Sequence, residues 1–564
     1  MNSLVLLMIA VVVFAFGYRF YSKLLGLGVF RLGKDYYSTP SPDRPAAEKP
    51  GTFGRHLIFG QHVASLAAGT AVTGCITSLI WGWVPAFLWA VVGTVVAAGT
   101  YGLGALWLSL RYPGRNPAEI AARLLGSPAH ALFALVVFLL LLIMNAACAT
   151  LAAQLLAAFP ASVLPFWIIT AMALFLGNFL RGREDFEIIP ATLIALTLSL
   201  MVVWLLGNHP LSFTGALRLE TAESYFPFDA TVVWVMLLFA YGYYVTRLPM
   251  WKLMRPRGYL TALLLGTALF IFYTAVMIDQ PSLVAPEFHA GPGIPDTLPW
   301  LFVTLTSGAV AGFHLLAANA VTVRQMKREA DARYIGYGGA LALGLLALSA
   351  IIIGSTGLPN VQDWNQRYAS WETFMDLHTV LELYINGFAR HAAGLGLDLA
   401  FARSLMAVVI IGLLIATLET GLRAQKQLLA GLTERYPAFV PGNEKALIVT
   451  AVGLSALLAL HDGHGRGGLM LWPLFGVADQ LLAILGFALL AVALRRLERP
   501  VSAVFLPLVF LLVTANWGLG VLMTQWWSDN RWILLMLGIL LIATELGVTF
   551  LTLNALKSPR SPQT

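Results

Sequence analysis

Charge is what this sequence has least of. Asp, Glu, Lys and Arg make up 11% of its 564 residues, against about 25% in an ordinary soluble domain. With 59% hydrophobic residues and a mean hydropathy of +0.78, the chain is not a water-soluble globular protein but one that crosses a membrane many times. Cysteine is almost missing. Cys75 and Cys148 both fall inside apolar stretches, where they read as packing residues rather than as a disulfide. No GxxxxGK[ST], HExxH, CxxC or GxSxG pattern occurs, so ATP-driven pumping and familiar membrane hydrolase chemistry lack support. The first apolar stretch, residues 2–25, has no basic n-region and no small-residue cleavage site, and reads as a retained membrane helix.

What is present is a succession of apolar runs, each near the roughly 20 residues that cross a bilayer as a helix. Fifteen are expected: about 2–25, 56–81, 84–110, 129–153, 162–180, 188–207, 230–248, 258–280, 299–323, 337–358, 399–421, 444–461, 469–494, 500–523 and 530–554. The fold class is therefore an all-α polytopic membrane protein. Loop charge gives an orientation. With the N-terminus outside and the C-terminus inside, 29 of the 35 Lys and Arg residues fall on the inner side, as the positive-inside rule requires. The exceptions are Arg218, Arg367, Arg390, Arg403, Arg466 and Arg531. The longest outer loop, 359–398, holds an amphipathic stretch at 372–391 that is expected to be a surface cap. The two histidines of HDGHGRGG (461–468) are expected to be solvated.

Polar groups inside a span must face protein, water or a solute, because hydrocarbon offers no hydrogen bond. Span two opens with FGQHVASLAAGTAVTG (59–74). Gln61, His62, Ser65, Gly69, Thr70 and Thr73 are candidate substrate contacts there, and the glycines allow the backbone to unwind. Span nine repeats this character in TLTSGAVAGFHLLAANA (304–320). Thr306 and Ser307 could hold a cation and His314 could face span two. Tyr241, Tyr243 and Tyr244 in span seven are candidates to line a substrate path, with an interfacial aromatic belt expected for at least one of them. Among the membrane-embedded polar residues, Asp479, Gln480 and Glu419 are candidates for ion or proton handling, with pairing to Arg423 at i,i+4 the competing and favoured reading for Glu419. Helix–helix hydrogen bonding competes with a functional role for each of these residues.

Six stretches in order resemble the carbon starvation protein A (CstA) family of bacterial inner-membrane transporters: FGQHVASLAAGTAVTG (59–74), LPMWKLMRPRGYL (248–260), SGAVAGFH (307–314), EADARYIGYG (329–338), TLETGLRAQKQLL (417–429) and LWPLFGVADQLLA (471–483). The resemblance implies uptake of small nutrients such as peptides or pyruvate under carbon limitation. It also implies a LeuT-like core of five plus five inverted spans, with span two as the first broken helix and span seven opening the second repeat. On that reading residues 1–55 are an N-terminal helix and loop, 56–421 the transporter core and 422–564 additional C-terminal helices. The chain departs from the family pattern at Gln61, where a second histidine is usual, at Tyr101-Gly102 for a Gln-Asp pair, at Leu343 for a Glu, at Asp479 for an Asn, and in lacking prolines near 70–76.

The expected function is a secondary transporter of small organic nutrients, with a lipid bilayer and a small-molecule substrate as its partners. No cofactor is expected beyond a coupling H+ or Na+. An ion channel or ion transporter, and a membrane nutrient sensor without net flux, are the alternatives.

Overall fold

The computed structural model describes residues 2–33, 54–67, 69–180, 185–207, 229–309, 312–326, 328–374, 376–437 and 442–557. Among them an isolated bridge pairs Asn2 with Ser282, and no strand is formed. Everything else regular is helix, which satisfies every backbone group within its own segment, as a bilayer demands. Large apolar side chains face outward in number, Phe175 at 76% and Phe270 at 74% exposure among them. In water such a surface would aggregate, whereas lipid covers it without penalty. The protein is a multi-pass membrane protein.

Twelve of the described helices are long and apolar enough to cross a membrane, or 13 if the bent pair Arg55–Leu66 and Ala71–Trp81 is one span. The expectation of fifteen differs for specific reasons. Span two is bent by 50°. Span nine is split into Thr297–Ala309 and Phe313–Ala317. The helix Glu444–Leu460 has only 17 residues. Ala230–Arg247, expected to open a second repeat, is a single helix, and the second broken helix is span nine.

Burial sorts the helices into layers. The apolar window of Ser3–Val29 is 33% buried and that of Ile189–Gly207 only 22%, whereas every residue in the apolar window of Leu474–Arg496 is buried. That helix packs against Thr297–Ala309 and Ser127–Ala158, as well as the two helices that follow it. The stretch expected to cap the outer surface is instead part of the packing. In Leu377–Gly394, residues Leu381, Tyr384, Ile385 and Phe388 are wholly buried against Leu399–Arg435 and Gly338–Thr356. Both cysteines are free and buried.

Candidate functional site

The site is built where two helices break. Arg55–Leu66 ends at Ala67, and Gly69 adopts φ +80° before the next helix starts at Thr70. A left-handed residue at this position favours glycine, because a Cβ would meet the following carbonyl. In span nine, Gly312 is the N-cap of the short helix Phe313–Ala317. The two spans touch backbone to backbone at one point: a Cβ on Gly74 would lie 2.4 Å from the carbonyl oxygen of Thr304. Small residues permit this close approach in place of side-chain interdigitation.

The second half of span nine is held by Asp479. The backbone N–H of Phe313 donates to its Oδ1 at 3.1 Å, and a Cβ on Gly312 would meet the Asp479 carbonyl at 2.4 Å. A carboxylate at a helix start is favoured by the free N–H groups and the dipole there. Beside it, Gln480 donates from Nε2 to the Phe302 carbonyl at 2.9 Å, which ties Leu474–Arg496 to both halves of span nine. The Tyr101 hydroxyl donates to the Gly312 carbonyl at 3.4 Å, and its ring stacks on His314 at 6.1 Å. Tyr101 and Gly102 stand where the family resemblance suggested Gln and Asp. Gly102 lets Gly336 approach, since a Cβ at 102 would lie 2.7 Å from the Gly336 carbonyl oxygen.

His62 and His314 face each other's surroundings at 1% exposure each. His62 Nδ1 pairs with the Thr322 hydroxyl at 2.8 Å. Thr322 donates its own hydrogen to the Ala317 carbonyl, so His62 donates from Nδ1 and presents Nε2 as a bare acceptor. Neither His62 Nε2 nor either nitrogen of His314 has a hydrogen-bond partner among the described residues. Buried polar atoms are seldom left so.

The rest of the polar stretch of span two is internally satisfied. Gln61 Nε2 donates to the Ser65 hydroxyl at 2.9 Å, which donates to the Gln61 carbonyl at 2.8 Å. Thr420 donates to the same hydroxyl and Thr417 to the Ser65 carbonyl, both at 3.0 Å. Gln325 reaches Gln61 Oε1 at 3.3 Å. These bonds clamp the end of Arg55–Leu66 to Leu399–Arg435 and to the end of span nine.

Glu419 does not pair with Arg423. It takes two bonds from Arg257, at 3.1 Å from Nε and 2.8 Å from Nη2, and one from the Tyr241 hydroxyl at 2.5 Å. Arg423 instead donates to the carbonyls of Val245 and Leu248 at the end of Ala230–Arg247. The reason is depth. Glu419 is 1% exposed, where a carboxylate needs a fully buried cation with fork geometry, while one turn on, Arg423 reaches open carbonyls. Tyr241 is therefore the inward tyrosine of its helix. Tyr244 is 65% exposed, and Tyr243 packs on Tyr244 and Arg247, so the structure brings neither to the polar centre. The side chains of Thr70, Thr306 and Ser307 lie outside the described residues.

Two cavities are lined by residues from opposite ends of span nine. One, of about 260 Å³, is lined by Thr73, Gly74, Thr77, Trp300, Thr304 and Trp371, among others. The other, of about 570 Å³, is lined by Asn319, Ala320, Val323, Arg247, Arg423 and Lys426, among others. Neither is lined by His62 or His314. Sequence reading placed Gln61, His62, Ser65, His314 and Asp479 in the centre. It missed Tyr101, Arg257, Thr322, Gln325, Thr417 and Thr420. Arg257 carried a signal, as a charge near the start of an apolar span; the hydroxyls carried none beyond their type.

An all-helical bundle whose broken spans enclose an incompletely satisfied polar centre has the build of a membrane transport protein. The chain belongs to the carbon starvation protein CstA family, whose model matches residues 2–365 and 368–517. It is 24% identical to the "Peptide transporter CstA" of Mycobacterium tuberculosis, over 93% of this chain and 75% of that one. It is 25% identical to the Campylobacter jejuni protein of the same name, over 92% and 80%. It is likewise 25% identical to the "Pyruvate/proton symporter BtsT" of Escherichia coli, over 92% and 81%. Among solved structures, a mutant of the Eremococcus coleocola manganese transporter is similar at 13% identity and TM-score 0.46, over 92% of this chain and 99% of that one.

Proposed function

We propose that this protein is a secondary active transporter that imports small organic nutrients, peptides or pyruvate and related carboxylates or amino acids, coupled to a proton or another ion. It acts in the bacterial cytoplasmic membrane, with its N-terminus outside and its C-terminus inside, and does no covalent chemistry on its substrate. The observation that carries this reading is the pair of cavities lined by opposite ends of span nine, neither of them lined by the buried His62 and His314. A channel needs a continuous path, whereas a carrier alternates which cavity reaches the centre. The names of the peptide and pyruvate/proton relatives support the substrate class and the coupling.

In this reading His62 and His314 contact the substrate through their free nitrogens, and Thr73 lines its outer approach. Gln61 and Ser65 position the break, with Gly69 and Thr70 at its turn. Thr306, Ser307, Asp479 and Gln480 flank the break in span nine, and Asp479 is the candidate to exchange a coupling proton. Glu419, bound by Arg257, anchors the scaffold. The core runs from 56 to 421 and is completed by Leu474–Arg496.

Reconstitution tests this. Labelled pyruvate, dipeptides and amino acids are offered to proteoliposomes with and without a pH gradient. A carrier shows saturable uptake, acceleration by unlabelled substrate on the far side, and a response to the gradient. Non-saturating flux without counterflow would replace the carrier reading with a channel, and binding without flux would replace it with a sensor.

A further inference from the structure

Three of the six basic residues that break the loop-charge pattern come together in space. Arg367, Arg390 and Arg403 line one cavity of about 470 Å³, with Thr379, Glu382 and Asn386. They come from three successive helices, Val361–Arg367, Leu377–Gly394 and Leu399–Arg435. No hydrogen bond or ion pair to any of the three guanidinium groups is found among the described residues, and the buried Nε of Arg367 is without a partner. The one carboxylate of the cavity, Glu382, lies 3.7 Å from His378 instead. Three like charges converging on one concave space repel one another unless an anion joins them. Arg367 also falls between the two stretches matched by the family model.

We propose that this cavity is a binding site for a phosphate group at the membrane surface. The guanidinium fork matches phosphate oxygens two at a time, and the cavity is larger than a bare phosphate needs, leaving room for a headgroup. Its depth agrees. Arg403 sits one turn inside an apolar span and is exposed, beside Leu399 at 43% exposure, which is where arginine side chains reach the lipid headgroups. Neither His62 nor His314 lines this cavity, and its occupancy does not depend on what is transported.

The test uses the full-length purified protein in detergent, with thermal stability and native mass spectrometry as readouts. The probes are phosphatidylglycerol against phosphatidylcholine, and inorganic phosphate against chloride at equal ionic strength. Arg390→Gln and Arg403→Gln each weaken apparent affinity roughly fivefold. Arg367→Lys, which keeps the charge and loses the fork, also binds more weakly than the wild type. Selective binding of phosphatidylglycerol alone assigns the site to a lipid headgroup, and selective binding of inorganic phosphate assigns it to a free anion. Both outcomes uphold the site. Binding of both probes unchanged in the Arg390→Gln/Arg403→Gln double variant, or no selectivity in the wild type, overturns it.

Discussion

Arg257 and Glu419 form a two-bond ion pair with each side chain 1% exposed, although 162 residues separate them in sequence. Arg257 also donates to the Gly412 carbonyl at 3.3 Å, and Tyr241 completes the coordination of Glu419. The pair locks Met254–Asp279 to Leu399–Arg435, the helices that carry span two between them. Removing one partner leaves the other charged and dry. Arg257→Ala or Glu419→Ala is expected to cost about 3–5 kcal/mol. The double variant Arg257→Met/Glu419→Leu should recover most of that loss, read as the detergent unfolding midpoint. Equal destabilisation by the single and double variants would mean the pair is not what stabilises this junction.

The Gly74 contact with Thr304 gives a second outcome. Gly74→Ala places a methyl within 2.4 Å of a backbone oxygen that cannot swing away, so spans two and nine must separate. We expect loss of uptake and of stability beyond the roughly 1–3 kcal/mol usual for overpacking. Gly266, with nothing within 4 Å of its Cβ position, is the control: Gly266→Ala should leave both intact.

His62→Ala should abolish uptake while membrane insertion is retained. Thr322→Val is the finer probe, because it removes the hydrogen-bond partner of Nδ1 and frees the ring to turn. Uptake should fall by about tenfold or more, the effect of losing one hydrogen bond at a buried site. Wild-type transport in His62→Ala would remove this residue from the substrate site.

Asp479→Asn keeps an oxygen that can accept from Phe313 N–H, so the break in span nine should survive and the protein should unfold near the wild-type midpoint. If the carboxyl carries the coupling proton, uptake in this variant no longer responds to a pH gradient while counterflow persists. A full gradient response in Asp479→Asn would assign proton coupling elsewhere.

How much of this could be read from the chain differs from element to element. Hydropathy identified the runs that became helices, and the glycines of 60–74 marked the break in span two. The same signal did not separate an interrupted span from a continuous one, because a window average passes over a short break. The amphipathic stretch at 372–391 has one apolar face, which a surface helix and an internal packing helix share. Which side of the choice applies depends on whether Ile353 and its neighbours offer a surface, and Gly387 sits directly against that side chain. The Glu419–Arg423 expectation failed because spacing alone cannot report depth.

By itself the sequence determined an all-α membrane protein, its family, and the presence of polar residues where hydrocarbon forbids isolated ones. These are local properties of composition and period. Tertiary structure alone decided that His62 meets Thr322 across 260 residues and that Asp479 caps Phe313 across 166. It also decided that Tyr241, not Tyr244, turns inward. Such pairings depend on how closely helix backbones approach, which is set by glycines on different spans meeting face to face, and no single span encodes that.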